Sequence, residues 1–252
     1  MAKELEEFRL ALDDRLASSR WGWLLKRLLS RVELQVLKYY KRDPWERVGL
    51  ELVKELYSKE ASVLSILLGD GMPILFSPGE VLNLWQQAQL LKGHGGAFAE
   101  VGAFEGDSAE IVCKAKGDRE FYIFEAFTGL PRSANRVDRR FRQGLFASRE
   151  QELRRRLQRY ANTRVIAGYF PETADCILHE RFSYVHIDVD LYESTYAALS
   201  IFYPRLLIGG RIIAHDYSQS EGVWRAVDEF LYDKRGSLEA MGTTQAVITK
   251  LA

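Results

Sequence analysis

Short apolar runs alternate with amphipathic segments from residue 97 onward, and this alternation constrains the fold more than any other feature of the sequence. Six runs rich in β-branched and aromatic residues predict strands at 97–101, 121–125, 164–167, 184–188, 211–214 and 246–250. Segments with helical periodicity lie between them, at 108–116, 150–160, 194–205 and 223–232. Strands that alternate with helices favour an α/β fold, in which a mostly parallel sheet is covered on both faces. Ligands then bind beyond the carboxyl ends of the strands.

One more helix is predicted just before the first strand. Ser77, Pro78 and Glu80 have the spacing of a capping box with a first-turn proline, and Gly93 provides a stop signal after Lys92.

Residues 1–70 have a different character and are predicted to form an N-terminal helical region. Between Trp21 and Tyr40 the apolar residues share one helical face, and lysines and arginines occupy the other. Packing of this face on the main domain or on a second subunit is favoured, which predicts a homodimer or a lid. The alternative is an anionic membrane surface.

Composition excludes some classes of protein. The chain has 252 residues, with 35 lysines and arginines against 35 aspartates and glutamates. A net charge of zero argues against nucleic-acid binding driven by global charge. The two cysteines have no zinc-like or disulfide pattern, and neither a secretory signal nor a spanning segment is evident. We therefore expect a cytoplasmic protein, with attachment to the inner membrane face as the variant that the basic helix allows.

The first predicted strand leads into a glycine turn with an acidic residue at its edge. Gly102 and Gly106 permit close approach of the backbone to a ligand, but the full G-x-G-x-x-G pattern of a dinucleotide site is missing. Glu100 would repel a pyrophosphate and would pair with a positive group, such as the amino group of S-adenosylmethionine. Glu125 ends the second strand 23 residues after Gly102, close to the spacing of a carboxylate that binds ribose hydroxyls.

Acidic residues and a histidine follow the fourth and fifth predicted strands. Asp188, His215 and Asp216 could converge on one hard cation such as magnesium. A histidine ligand would equally suit manganese, iron or nickel. The alternative is that these groups cap helices and pair with arginines. His186, inside the fourth strand, is interpreted as a core imidazole.

Four segments together resemble the macrocin, mycinamicin and novobiocin-type sugar O-methyltransferases, which are class I S-adenosylmethionine-dependent enzymes. The segments are Glu100 to Ser108, Phe124 to Pro131, Asp188 to Thr195, and Gly209 to Tyr217 with Ala226, Val227, Asp228 and Phe230. The resemblance covers roughly residues 70 to 252. It implies a Rossmann-like methyltransferase domain over 71–252 with a mostly parallel seven-stranded sheet and S-adenosylmethionine as cofactor.

The resemblance also implies roles for single residues. Those expected to bind the cofactor are Glu100, Gly102, Gly106 and Ser108 at its methionine end, Glu125 at its ribose, Phe127, Gly168 and Phe170 near its adenine, and Asp188. Family members bind magnesium through aspartates at the positions of Asp188, His215 and Asp216. His215 departs from that pattern, so the metal's identity is open and His215 is a candidate base. Asp190 matches the general base.

The expected substrate is a sugar or glycosylated molecule, and local charge adds a hypothesis about it. Residues 132–164 contain eleven arginines against three acidic residues. Most of them are interpreted as a solvated helix face, but arginine suits phosphate or carboxylate groups, so an anionic, nucleotide-linked or lipid-linked substrate is one hypothesis. Two other functions stay open: a nicotinamide-dependent oxidoreductase, and a non-catalytic scaffold that binds S-adenosylmethionine.

Overall fold

The computed structural model describes residues 75–252, and the predictions for the N-terminal helical region lie outside this range. Five α-helices occur in the described part: α1 Pro78–Leu91, α2 Asp107–Ala115, α3 Glu150–Leu157, α4 Tyr192–Arg205 and α5 Glu221–Leu231. Seven strands accompany them: β1 Ala97–Val101, β2 Phe121–Glu125, β3 Thr163–Ala167, β4 Phe182–Ile187, β5 Leu206–Ala214, β6 Gly236–Ala240 and β7 Ala246–Lys250. No helix in this part of the chain combines the length and the apolar character needed to cross a membrane.

The strands form one sheet in the order β3-β2-β1-β4-β5-β7-β6, and only β7 runs antiparallel to its neighbours. This confirms the predicted mostly parallel seven-stranded sheet. The strand order reverses direction between β1 and β4, so right-handed crossovers place α2 and α4 on opposite faces. A reversal of this kind opens a crevice at the carboxyl ends of β1 and β4, where ligands bind in open α/β sheets.

Helix α1 begins and ends where the sequence predicts. Ser77 Oγ accepts from Glu80 N, and Glu80 Oε2 accepts from Ser77 N at 2.7 Å, which completes the capping box.

Three predicted strands, β3, β4 and β5, differ from their predicted bounds, and one further strand was not predicted. β3 begins at Thr163, one residue before its predicted start. β6 was not predicted, because most of its residues are exposed and its pairing with β7 defines it as a strand. β4 ends at Ile187 instead of at Asp188. β5 begins at Leu206, so the Gly209–Gly210 turn lies within it as an irregularity in its pairing with β4.

The core lies between the sheet and its helices. Ring packing is dense beneath β1, β2 and β4, where Phe182 meets Phe202 edge to face at 5.0 Å and Phe170 stacks on Phe202 at 5.4 Å. Such packing holds the strands rigidly and keeps the polar residues at their ends in constant positions.

Candidate active site

Register brings the ends of β1, β4 and β5 together. Val101 pairs with Ile187, and Ile187 pairs with Ala214, so the residues that follow these strands are neighbours. Gly102 has φ +84, and a Cβ there would lie 1.9 Å from the carbonyl oxygen of Asp188. The first glycine of the turn is therefore required by the close approach of two strand ends.

The second glycine of the turn is required by a helix. Gly106 has φ +90 at the N-cap of α2, and a Cβ there would lie 2.4 Å from Leu153 Cδ1 of α3. Ser108 is buried in the first turn of α2. The turn thus has structural reasons for its glycines, and contact of Gly102, Gly106 and Ser108 with a cofactor stays a prediction.

Glu125 binds the backbone of the glycine turn. Its Oε2 accepts from Ala103 N at 2.8 Å and Phe104 N at 2.7 Å, and its Oε1 accepts from Phe127 N at 3.0 Å. Three of about four acceptor positions of the carboxylate are used in this way. Glu125 thus orients the turn, and its predicted contact with a ribose has little acceptor capacity left.

Glu100 is fully buried and faces β4. It pairs in register with His186, and its Oε1 lies 2.7 Å from His186 Nδ1. Its Oε2 is buried without a hydrogen-bond partner among residues 75–252. Burial raises the pKa of Glu100 to about 8. The carboxyl group predicted to meet a positive ligand therefore has one oxygen still unpaired.

His186 is a core imidazole, as predicted, but only one of its nitrogens is satisfied. Its Nε2 has no hydrogen-bond partner in the described structure. Burial lowers the pKa of His186 to about 4, so the ring is neutral at pH 7.

Two carboxyl groups that follow β4, those of Asp188 and Asp190, have raised pKa values. Burial raises the pKa of Asp188 to about 6. Burial and the charges of Asp216 and Asp188 raise the pKa of Asp190 well above its usual range. Asp190 and Asp216 therefore lie close enough for their charges to interact. Both residues adopt positive φ, +61 and +59, which aspartate tolerates.

Two of the three predicted metal ligands, Asp188 and His215, lie in one group of possible ligands, and the third member of that group is His186. The described residues that offer ligand atoms within 4.8 Å of one another are His186, Asp188 and His215. Asp216 is not in this group, although its Oδ1 lies 3.8 Å from His215 Nε2, and this oxygen accepts from Gln219 Nε2. His186 lies two residues before Asp188, at the buried end of β4, and it occupies the place in this group that was predicted for Asp216.

His215 is packed from two sides. Its ring lies edge to face with Phe76 at 5.0 Å, and its Nδ1 is 3.2 Å from Gln245 Nε2. Burial lowers the pKa of His215, and the charges of Asp188 and Asp216 raise it by more. Sequence reasoning missed Gln245 and its partner Asn83. The sequence feature that could have indicated them is a pair of amide residues, Asn83 and Gln87, which lie four residues apart on the buried face of α1.

The three residues predicted to lie near adenine have different surroundings. Phe170 packs edge to face on Phe124 at 5.0 Å, in addition to its stacking on Phe202. Phe127 has φ +61 in the loop after β2, and Gly168 N donates to Glu125 O at 3.0 Å. Phe170 is therefore already part of the core packing, and contact of all three residues with adenine stays a prediction.

Asp138 is a buried residue near the site that sequence reasoning did not single out. Its buried carboxylate accepts from Tyr192 N, the first residue of α4, at 3.2 Å and from Ser133 Oγ at 2.7 Å. A carboxylate is favourable at a helix N-terminus. Asp138 thereby ties the arginine-rich loop to the helix that follows Asp190.

The order of the strands and the helices on both faces of the sheet are those of the class I methyltransferase fold. The solved structure of the O-methyltransferase NovP has the same fold, with a TM-score of 0.63 and 23% identity over 73% of this chain and 84% of that one.

Sequence comparison is more specific. Residues 87–242 match the family described as Macrocin-O-methyltransferase (TylF), and the chain belongs to this family.

Two curated relatives come from Streptomyces. One, from Streptomyces olivaceus, is named 8-demethyl-8-(2,3-dimethoxy-alpha-L-rhamnosyl)-tetracenomycin-C 4'-O-methyltransferase and is 32% identical over 145 residues, 51% of this chain and 56% of that protein. The other, from Streptomyces niveus, is named demethyldecarbamoylnovobiocin O-methyltransferase and is 30% identical over 124 residues, 45% of this chain and 47% of that protein. The match spans about half the length of both relatives.

Proposed function

We propose that this protein transfers a methyl group from S-adenosylmethionine to a hydroxyl of a sugar or glycosylated small molecule. The observation that carries the proposal is the convergence of Glu100, Glu125 and Asp190 around the switch point of a class I methyltransferase sheet. Membership of the TylF family and the names of the two relatives, both O-methyltransferases, support it.

The residues at the end of β1 fit the cofactor. Glu100 Oε2 is a buried acceptor without a partner in the described region, which is costly unless a ligand supplies a donor. A positive amino group beside it would also favour ionisation of a carboxyl whose pKa burial raises to about 8. When bound, S-adenosylmethionine supplies a methyl group activated by its sulfonium.

Asp190 is the proposed base. In the transfer, the acceptor oxygen forms a bond to the methyl carbon, the carbon–sulfur bond breaks, and the hydroxyl proton goes to an Asp190 carboxylate oxygen. A raised pKa makes the ionised Asp190 carboxylate a stronger proton acceptor. The positive charge of Arg140 lowers the pKa of Asp190 and opposes complete protonation.

A divalent metal stays a prediction, and the donor set does not fit magnesium. Magnesium prefers oxygen ligands in octahedral geometry, whereas the group of His186, Asp188 and His215 offers two imidazoles and one carboxylate. No step of the proposed reaction depends on a metal.

We propose that an anionic group of the substrate would bind only to arginines of the loop before α3. On α3, Arg154 and Arg156 are paired with acidic side chains, as expected for a structural helix face. Arg139 and Arg140 are exposed in the loop, and Arg140 Nη1 donates to Gln219 O at 2.9 Å near Asp216. A phosphate or carboxylate on the acceptor would bind these arginines.

Thermal unfolding of the full chain with S-adenosylmethionine, S-adenosylhomocysteine and NAD in parallel tests the proposal. A ligand at 100 times its Kd stabilises a protein by about 2.7 kcal/mol. We expect stabilisation by the two adenosyl ligands only, and then turnover with sugar acceptors. Stabilisation by NAD alone would favour the oxidoreductase, and adenosyl binding without turnover on any acceptor would favour the scaffold.

A further inference from the structure

A line of buried amide side chains leads from Arg211 to His215. Arg211 Nη1 donates to Gln87 Oε1, and Gln87 Nε2 donates to Asn83 Oδ1 at 3.0 Å. Asn83 Nδ2 donates to Gln245 Oε1 at 2.7 Å, and Gln245 Nε2 lies 3.2 Å from His215 Nδ1. We call Arg211, Gln87, Asn83 and Gln245 the amide relay.

Arg211 sets the direction of the amide relay. A guanidinium group only donates hydrogen bonds, so Gln87 must present its oxygen to Arg211 and its NH₂ group to Asn83. Asn83 must then accept through its oxygen and donate through its NH₂ group, and the same holds for Gln245. The opposite orientation would place the Gln87 NH₂ group against the guanidinium. Gln245 therefore presents an N–H to His215.

His215 Nδ1 must consequently accept a hydrogen bond. We infer that the amide relay holds singly protonated His215 in the tautomer with its proton on Nε2, so that His215 faces Asp216 as a hydrogen-bond donor and not as a metal ligand. Nε2 is the nitrogen that lies 3.8 Å from Asp216 Oδ1. Because Gln245 is fully buried and Phe76 covers the ring, water does not replace the relay as the partner of Nδ1.

This arrangement is opposite to that of a metal-binding histidine. Such a histidine uses one nitrogen lone pair for the metal and donates its other N–H to an acceptor. His186 has a suitable carboxylate partner in Glu100, but the partner of His215 is a donor. A metal bound by His186, Asp188 and His215 would need one lone pair from each residue. The lone pair of His215 Nε2 is not free, because a proton occupies it. An N–H stands where the family's aspartate offers an oxygen, and it can bind a carboxylate or an acceptor oxygen.

Gln245 and Gln87 are thus positioning residues that act through His215. Gln87→Glu tests this at a distance. A carboxylate at position 87 accepts from Arg211 and can only accept from Asn83, so both remaining amides must reverse. Gln245 then presents its oxygen to His215, and the proton moves to Nδ1. The new charge is paired with Arg211.

Nitrogen-15 NMR of histidine-labelled full-length protein measures the tautomer directly. The chain has four histidines, and His215→Gln identifies the signal of His215. We expect a protonated Nε2 and an unprotonated Nδ1 in the unchanged protein, at a pH where the ring carries one proton. A shift of the proton to Nδ1 is expected in Gln87→Glu. A protonated Nδ1 with an unprotonated Nε2 in the unchanged protein would overturn the inference. This measurement does not depend on whether any variant folds.

Cobalt binding, followed by the visible absorption of the ion, provides the second readout. Gln87→Glu frees the third lone pair, so we expect it to bind Co²⁺ about 10- to 100-fold more tightly than the unchanged protein. Gln87→Met, which interrupts the relay without reversing it, should show a smaller gain. Equal affinity in the unchanged protein and Gln87→Glu would contradict the inference. Neither readout depends on methyl transfer, so these results are independent of the proposed function.

Discussion

Asp190 shows how much of the proposed chemistry depends on one atom. Asp190→Asn keeps the size of the side chain but removes the proton acceptor. We expect S-adenosylmethionine binding to be retained and kcat to fall about 10²- to 10⁴-fold, the usual contribution of a general base. Steady-state kinetics with a sugar acceptor measures this, and Asp175→Asn, at an exposed site, is the control. Unchanged turnover in Asp190→Asn would remove the residue from the mechanism.

The exposed loop arginines allow a test of substrate charge. Removing Arg139 and Arg140 together by Arg→Ala should raise KM for an anionic acceptor and weaken its dependence on salt, because exposed charges are screened by ions. Acceptor KM measured at several salt concentrations checks this. Arg154→Ala removes a charge that Glu150 already neutralises on α3, so it should leave the salt dependence as it is. If the loop variant behaves like this control, the substrate is not held by these arginines.

At the scale of elements, the contact of α2 with α3 rests on an ion-pair cluster around Glu110. Arg156 Nε donates to Glu110 Oε2 at 2.7 Å, and Tyr160 Oη donates to Oε1 at 3.0 Å. Burial raises the pKa of Glu110, but these hydrogen bonds and the charge of Arg156 outweigh it and hold the pKa below its ordinary value.

The depressed pKa predicts acid sensitivity. A group whose pKa is lower in the folded state contributes stability above its unfolded pKa, and loses it as pH falls through the folded pKa. We expect Glu110→Gln to lower the free energy of unfolding by about 1–2 kcal/mol near pH 7, with the difference shrinking below about pH 4.5. Urea unfolding at several pH values measures it. Glu152→Gln, which breaks the exposed pair with Arg149, should have little effect at any pH. An effect of Glu110→Gln that does not depend on pH would point to packing instead of charge.

Among the strands, sequence patterns predicted some bounds correctly and missed others. β1, β2 and β7 match their predicted bounds, because the first two are wholly buried and β7 is buried at its first three residues, so their apolar runs are continuous. β6 was missed because only pairing with β7 makes Gly236–Ala240 a strand. The start of β5 was missed because its glycines, typical of a turn, are accommodated within the strand.

For the whole molecule, the order of the strands decides which distant residues meet. The switch point between β1 and β4 brings Glu100 against His186 across 86 positions of sequence. The homodimer, the cytoplasmic location and the membrane-facing alternative stay predictions.

The sequence by itself determined the α/β class, the parallel sheet, the N-terminal cap of α1 and the edge at which polar residues collect. These properties follow from local periodicity and from the rule that ligands bind beyond the carboxyl ends of parallel strands. It also identified Glu125, Asp188, Asp190 and His215 as residues of that edge.

Only the tertiary structure decided what these side chains bind. Glu125 holds backbone amides, Glu100 holds His186, and the amide relay decides which nitrogen of His215 carries the proton. The physical reason is that a hydrogen bond depends on the position and direction of single atoms. Residues far apart in the chain supply those atoms, and a residue type leaves open which of its donors and acceptors is used.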